Sequence, residues 1–318
     1  MSEYVTEPLE TDRVAPVVTD LSVIIPTLGR DILQEGVRRI FIGTHWPSEV
    51  IIVHQGDDPA VRERLQAFAE LGLRVRYIPS TERGRAAAVN RGIRAARTPF
   101  VAITDDDCFV SHDWVARMSA ELRADPERIV TGGVSSAGRE PVMAVTTSVQ
   151  RSLQVRPRLK FDILCGGNVA MARTILDRVG LFDDDAMIAT AEDCEFAYRA
   201  LRTGVPIEFI PDIMVEHWGW RTQRARAAQY RSYALSHGGF YGKYLRRRDL
   251  FIAARALHHG ARTLVYLVVS CARRDRERIA AGRAYAFNLW RGVARGLRSV
   301  GRAPRLAVDD ASLSSEDR

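Results

Sequence analysis

From Leu21 onward, short runs of aliphatic residues alternate with stretches in which apolar positions recur three or four residues apart. The first pattern fits a strand buried on both faces and the second an amphipathic helix, so the alternation predicts repeated βα units and a mostly parallel sheet. LSVIIP (21–26), EVIIVH (49–54), RVRYIP (74–79) and FVAITD (100–105) are the four clearest strands. Between them, residues 31–44 place Ile32, Leu33, Val37, Ile40 and Phe41 at helical spacing, and Pro59 opens a helix to about Leu71. Gly84 to Ala96 is rich in alanine and therefore able to pack close to a sheet. A helix over 113–124 and a strand near 128–134 continue the rhythm.

After Gly138 the pattern loosens. It predicts a helical stretch over 145–150, a basic loop at 156–160, and a short strand running into Cys165-Gly166-Gly167-Asn168. Helices over 173–179 and 192–202 flank the turn LFDDD (181–185), and strands at 207–210 and 213–217 close the α/β part. Beyond His217 the chain reads as helix throughout, rich in arginine and dotted with Tyr, Trp, Phe and Leu; His258-His259 reads as helix surface. The expected organisation is a disordered leader over 1–19, an α/β domain over 20–220, a basic helical extension over 221–305 and a disordered tail over 306–318.

Charge separates these parts. The whole chain carries +7, but 221–305 alone holds 20 basic residues against 3 acidic ones, leaving 1–220 net acidic. A basic helical segment seeks phosphates, lipid head groups or nucleic acid. No recognised motif supports nucleic acid, and the aromatic and aliphatic residues at helical spacing suit either packing on the α/β part or an anionic membrane surface. The longest apolar run, Thr263 to Ala272, is about half of what a membrane-spanning helix needs and is flanked by Arg262, Arg273 and Arg274. Such a run is able to lie on a bilayer but is too short to cross one. Hydrophobic residues at 46% and a mean hydropathy of −0.14 exclude a disordered or fibrous chain. The four cysteines have no zinc or disulfide spacing, so a reducing, cytoplasmic setting is expected, with the basic extension on the inner face of the membrane.

The candidate chemistry sits at strand ends, where an open sheet binds ligands. Pro26-Thr27 follow strand one, His54-Gln55-Gly56-Asp57 follow strand two, and Asp105-Asp106-Asp107 follow strand four. Three adjacent carboxylates repel one another, and a hard divalent cation relieves that repulsion; with few protein ligands, such a cation takes substrate phosphates as well. A phosphate ester is therefore the expected substrate. The chain lacks both GxxxxGK[ST] and GxGxxG, so neither P-loop hydrolysis nor Rossmann-type NAD binding is supported.

Six motifs, Leu21–Arg30, Gly84–Gly92, Val101–Asp107, Cys165–Asn168, Val179–Asp183 and Glu192-Asp193, resemble the family 2 glycosyltransferases in order and approximate spacing over roughly residues 20 to 220. The resemblance implies a GT-A fold, a mixed and mostly parallel sheet flanked by helices. It also implies an inverting transferase that takes a nucleotide diphosphate sugar with Mg²⁺ or Mn²⁺ and glycosylates a lipid-linked or glycan hydroxyl. Carried over by motif, Asp107 is the direct metal ligand and His217 completes the metal site, while Asp105 and Asp106 face ribose or sugar hydroxyls. Pro26, Thr27, Gln55 and Asp57 form the nucleoside edge, Arg85 is the basic group near the nucleotide, and Asp193 is the general base. Where many members have an aspartate after strand two this chain has His54, which leaves the bound base open. The absence of QxxRW argues for single transfers rather than processive polymerisation. Two rivals are a nucleotidyltransferase of similar fold, for whose triphosphate loop PTLGR is a poor substitute, and a non-catalytic nucleotide-sugar-binding scaffold.

Overall fold

The computed structural model describes residues 16–138, 145–146, 148–219 and 223–299. The leader expected over 1–19 lies outside them up to residue 15, as does the expected tail, but Val17–Val18 form a short strand paired with His45–Trp46 and are not disordered as expected.

The chain begins with β1 (Val17–Val18) and β2 (Leu21–Thr27), then α1 (Leu33–Phe41), β3 (His45–Trp46), β4 (Glu49–His54), α2 (Pro59–Glu70), β5 (Val75–Pro79), α3 (Arg85–Ala95) and β6 (Phe100–Thr104). Next come β7 (Cys108–Val110), α4 (Trp114–Ala124), β8 (Ile129–Gly138), β9 (Ser152–Gln154), β10 (Asn168–Ala172), α5 (Arg173–Val179), a 3₁₀ turn (Ala186–Ile188), α6 (Glu192–Arg202) and β11 (Ile207–Gly219). Three long helices follow: α7 (Gln223–Leu245), α8 (Leu250–Ala272) and α9 (Arg276–Gly296).

The main sheet runs β5-β4-β2-β6-β10-β8-β11-β7, with β9 also on β11. Its first four strands are parallel, as the βα rhythm requires, and β10 then runs antiparallel to both β6 and β8. Alternate residues of the parallel strands enter opposite cores. Val23, Ile25, Val50, Ile52 and Ala102 face α1, α2 and α4, whereas Ile24, Ile51, Val53, Val101 and Ile103 face α3, α5 and α6. Both faces being covered explains why these strands read as unbroken apolar runs. Ala86, Ala87 and Ala88 are buried, which brings α3 close to the sheet.

Three expectations need correction. The described residues of 145–150 are not helical. Cys165 to Gly167 precede a strand rather than end one, because Asn168 opens β10. The two closing strands are one strand, β11, whose register shifts between Ile210 and Met214. β7 and β9, three residues each, were too short for any periodicity to announce.

The C-terminal helices pack onto the α/β part. Phe240, Tyr241, Ile252, Ala256, Leu289 and Val293 bury themselves with Ile188 and with Tyr198 of α6. Lys243 is buried, and its ammonium donates to Asp183 at 2.6 Å and to Asp185 at 3.1 Å. Arg255 of α8 donates to Asp162 at 2.8 Å and to the Lys160 carbonyl at 2.6 Å, with both ionic side chains only 2% exposed. His259 is buried as well, in contact with Tyr241 through a 3.0 Å hydrogen bond, so it is not helix surface as expected.

α7 and α9 meet backbone to backbone. A Cβ on Gly238 would come 2.0 Å from the Leu289 carbonyl oxygen, and one on Gly292 would come 2.2 Å from that of Leu235. Gly242 and Gly296 continue the seam, at 2.3 Å from the Val293 and Gly239 carbonyl oxygens. Gly292→Val is therefore expected to destabilise the protein by about 3 kcal/mol, the upper range for overpacking. Leu264→Ser, on the exposed face of α8, should stay within about 0.5 kcal/mol of the parent. Urea unfolding of the two variants checks the difference; equal midpoints would refute the close seam.

Candidate active site

The carboxyl ends of β2, β4 and β6 and the start of α6 surround a cavity of about 410 Å³. A pocket of that size suits a small ligand. It is lined by Pro26, Thr27, Gln55, Arg85, Asp105, Asp106, Asp107, Asp193 and His217. Nine of the ten residues singled out from the sequence thus meet in one place. Asp57 does not: its carboxylate is 62% exposed and pairs with Arg62 at 3.3 Å.

The three aspartates after β6 have three different settings. Asp105 accepts from Arg85 Nε at 2.7 Å. Asp106 is 1% exposed and accepts from the Thr27 hydroxyl at 2.6 Å and from the Arg30 guanidinium. Burial pushes its carboxyl up even with Arg30 beside it. Its bonds to Thr27 and Arg30 hold the loop in place, while Asp106 still lines the cavity. Asp107 has Arg30 Nη1 at 3.3 Å and His217 Nε2 at 3.5 Å, and its carbonyl accepts from the Trp218 amide at 2.8 Å. β7 pairs with β11, Cys108 opposite His217, and this fixes the Asp107–His217 approach.

Carboxylate, thiol and imidazole donors of Asp107, Cys108 and His217 lie within 4.8 Å of one another. A carboxylate with an imidazole suits Mn²⁺ or Mg²⁺, whose remaining positions go to water and phosphate oxygens. The thiol fits less well. Burial, followed by the charge of Asp105 and Asp107, pushes the Cys108 pKa well up, so the group stays protonated.

Arg85 opens α3 and reaches three distant segments. It donates to Asp105, to the Gly166 carbonyl at 2.8 Å and to Glu192 at 3.3 Å. Gly166 and Gly167 lack side chains for a steric reason: a Cβ on Gly166 would stand 3.1 Å from Asp193 Oδ2 and 3.3 Å from Arg85 Nη1, and one on Gly167 3.0 Å from Asp105 Oδ2. Gln55 accepts from the Gly84 amide at 2.8 Å and so joins the β4 edge to the start of α3. His54 turns away from the cavity toward Tyr77, Nδ1 to hydroxyl 2.6 Å.

Two motif residues are structural. Asn168 accepts from Trp114 Nε1 at 2.8 Å and donates to the Gly133 and Ile213 carbonyls at 2.9 Å each. Asn90 both donates to and accepts from the backbone of Phe182. Sequence reasoning missed Arg30, whose only signal was its place directly after Gly29 at the end of the first strand motif.

A sequence model described as glycosyl transferase family 2 matches residues 22–180, half of the chain. The chain belongs to that family. Among curated relatives, the hyaluronan synthase of Pasteurella multocida is 26% identical over 236 residues, covering 62% of this chain and 24% of that protein. The chain thus spans about a quarter of that relative's length. Among solved structures, the mannosyltransferase PcManGT from Pyrobaculum calidifontis, in complex with GDP-Man and Mn²⁺, matches with a TM-score of 0.56 and 20% identity, covering 92% of this chain and 90% of that one. GalNAc-T7 with UDP, GalNAc and Mn²⁺ matches with a TM-score of 0.53 and 17% identity, covering 76% and 54%. At these identities the likeness is one of fold, and the family 2 domain here has the GT-A architecture.

Glu192 gives the site of this family member a pH dependence. Burial, reinforced by the Asp193 charge, pushes its carboxyl up to about 8 against the pull of Arg85. The native state then holds a proton that the unfolded chain, with an ordinary glutamate near 4.3, has released. Stability therefore falls as pH rises between about 5 and 8, by up to about 1.4 kcal/mol per unit. Glu192→Gln should flatten that decline in melting temperature; an unchanged slope would assign the titration to another group.

Proposed function

We propose that the protein is a metal-dependent, inverting glycosyltransferase that moves one sugar per encounter from a nucleotide diphosphate sugar to an acceptor hydroxyl. The observation that carries the reading is one cavity with Asp107 and His217 on one side, Asp193 on another, and Pro26, Thr27 and Gln55 along an edge. Inversion needs a single in-line displacement at the anomeric carbon, with a base for the acceptor proton and stabilisation for the departing diphosphate. Asp193 serves as the base. Asp107 and His217 would hold Mg²⁺ or Mn²⁺, which when bound supplies Lewis-acid stabilisation of the diphosphate. Arg30 adds positive charge beside Asp107, while Arg85, tied to Asp105, Glu192 and Gly166, positions the loops around the donor.

Support for the donor comes from GDP-Man and UDP in the complexes of the structural neighbours. Thermal shift checks the metal: Mn²⁺ with UDP or GDP should raise the melting temperature by more than the sum of the two separate shifts, and Asp107→Asn or His217→Ala should remove the synergy. Additive shifts in the parent would refute it. Asp193→Asn should lower turnover by roughly 10² to 10⁴ while donor affinity stays within a few-fold, as loss of a base demands. A matching loss of donor affinity would make Asp193 a binding residue instead.

We also place the protein on the cytoplasmic face of an anionic membrane. No helix among the described residues is long and apolar enough to cross one. α8 nevertheless exposes Leu257 (66%), Leu264 (58%), Val265 (63%) and Val268 (67%) along one side, with Arg262, Arg273 and Arg274 exposed nearby. An apolar stripe bordered by arginine is the composition of a helix that rests at a lipid interface. Because α8 also carries core residues, deletion would confound the test. Val265→Ser with Val268→Ser should instead reduce cosedimentation with phosphatidylserine vesicles, and Arg273→Gln should weaken it by about fivefold, near 1 kcal/mol. Unchanged binding in both variants would leave the stripe without a lipid role.

A further inference from the structure

Thr190, Asp193 and Tyr233 line two cavities at once. The first is the site described above. The second, of about 450 Å³, adjoins the first at these three residues and is walled by α7, α8 and α9 together with Phe161. A base must reach the proton it removes, and because Asp193 lines both cavities an acceptor bound in the second would be within its reach.

The wall of this cavity is aromatic. Phe161, Tyr230, Tyr233, Tyr266 and Tyr285 line it, with the rings of His237 and His259 among them. Phe161 packs against both histidines at centroid distances of 5.2 Å. The two imidazoles have partners in or behind the wall. His237 Nδ1 meets the Tyr285 hydroxyl at 2.9 Å and its Nε2 meets Cys194 Sγ at 3.6 Å, while His259 Nδ1 meets the Tyr241 hydroxyl at 3.0 Å. Burial lowers the pKa of His237 to about 4 and that of His259 to about 3, so both rings are neutral above pH 5. What the wall presents is ring faces, with Asp193 at the inner end and the exposed Arg262 at the rim.

Asp193, Thr190 and Arg262 offer partners to sugar hydroxyls, but the greater part of the wall is ring and aliphatic surface. A flat apolar group gains by stacking on the rings. We propose that this second cavity is the acceptor subsite, and that it takes an acceptor whose reacting hydroxyl is carried beside an aryl group, as in an aryl glycoside. The inference rests on Asp193 as the base of the transfer proposed above. In the step itself the acceptor O–H bond breaks and its proton goes to the Asp193 carboxylate. The acceptor oxygen bonds to the anomeric carbon as the bond from that carbon to the diphosphate oxygen breaks, and the nucleoside diphosphate leaves with the electron pair.

The test uses the full chain with Mn²⁺ and UDP or GDP, and 4-methylumbelliferyl β-glucoside as a fluorescent probe. Phenyl β-glucoside should displace the probe at least tenfold more effectively than glucose. Octyl β-glucoside should be weaker than phenyl; equal or better displacement by octyl overturns the aryl assignment. Ala281→Trp, which fills the cavity, should weaken probe binding at least tenfold. Tyr266→Ser, at a side chain 44% exposed and therefore safe for folding, should weaken it several-fold. Leu264→Ser, outside the cavity, should leave it unchanged. The two readings fail separately. NDP-sugar turnover with probe binding indifferent to Ala281→Trp and Tyr266→Ser overturns the subsite alone. Probe binding that responds to both variants, without turnover of any NDP-sugar with phenyl glucoside or water as acceptor, overturns the transfer reading and the acceptor role with it.

Discussion

The guanidinium of Arg85 ties together parts of the chain that are otherwise far apart: the end of β6 through Asp105, the glycine pair through the Gly166 carbonyl, and the start of α6 through Glu192. Each of these segments carries a residue of the cavity wall, and Asp193 follows directly on Glu192. A planar fork with several donors can serve three acceptors at fixed angles, which a lysine ammonium on a flexible stem cannot. The arrangement sets the partly buried Arg85 cation between the Asp105 carboxylate and the Glu192 carboxyl, whose pKa burial pushes up. The loop after β6 and the start of α6, where Asp193 lies, thus share one positioning residue.

The parallel half of the sheet was legible in the sequence because burial on both faces leaves a simple local trace. β2, β4 and β6 fall within a residue or two of the expected runs. The reversal at β10 left no such trace, since antiparallel and parallel neighbours bury the same residue types and strand direction depends on what lies many residues away. β7 and β9 were lost because three residues carry no period. Yet β7 is the strand that brings His217 opposite Cys108, so a short, silent element decides the geometry around Asp107.

Site residues were legible to the extent that motif order encodes them. Asp107, His217 and Asp193 were named by position in a series of motifs, and the fold draws them to one cavity. Asp57 was named by proximity in sequence to Gln55, but adjacent residues at a strand end face different ways, and its carboxylate found Arg62 in solvent instead. Arg30 escaped notice because an arginine after a glycine is common; what distinguishes it is the pair of aspartates 76 and 77 residues later that it holds. His259 was misjudged for a related reason, since a helix that is apolar on one side and packed on another offers no single face to read.

The glycine seam between α7 and α9 bears on how the aromatic cavity can move. Two helices whose backbones touch have no side chains between them to shift rotamer, so they bend and translate as a single stiff body. α8 meets its neighbours through side chains such as Leu267 and Trp290 against Gly282 and Gly260, a softer contact. The wall that α8 supplies to the aromatic cavity is thus held by side-chain contacts, and its connection to α9 passes through Arg274, whose φ is 55°. The helix that exposes the apolar stripe therefore also forms one wall of the cavity, so a surface pressed against that stripe would bear on the cavity's width.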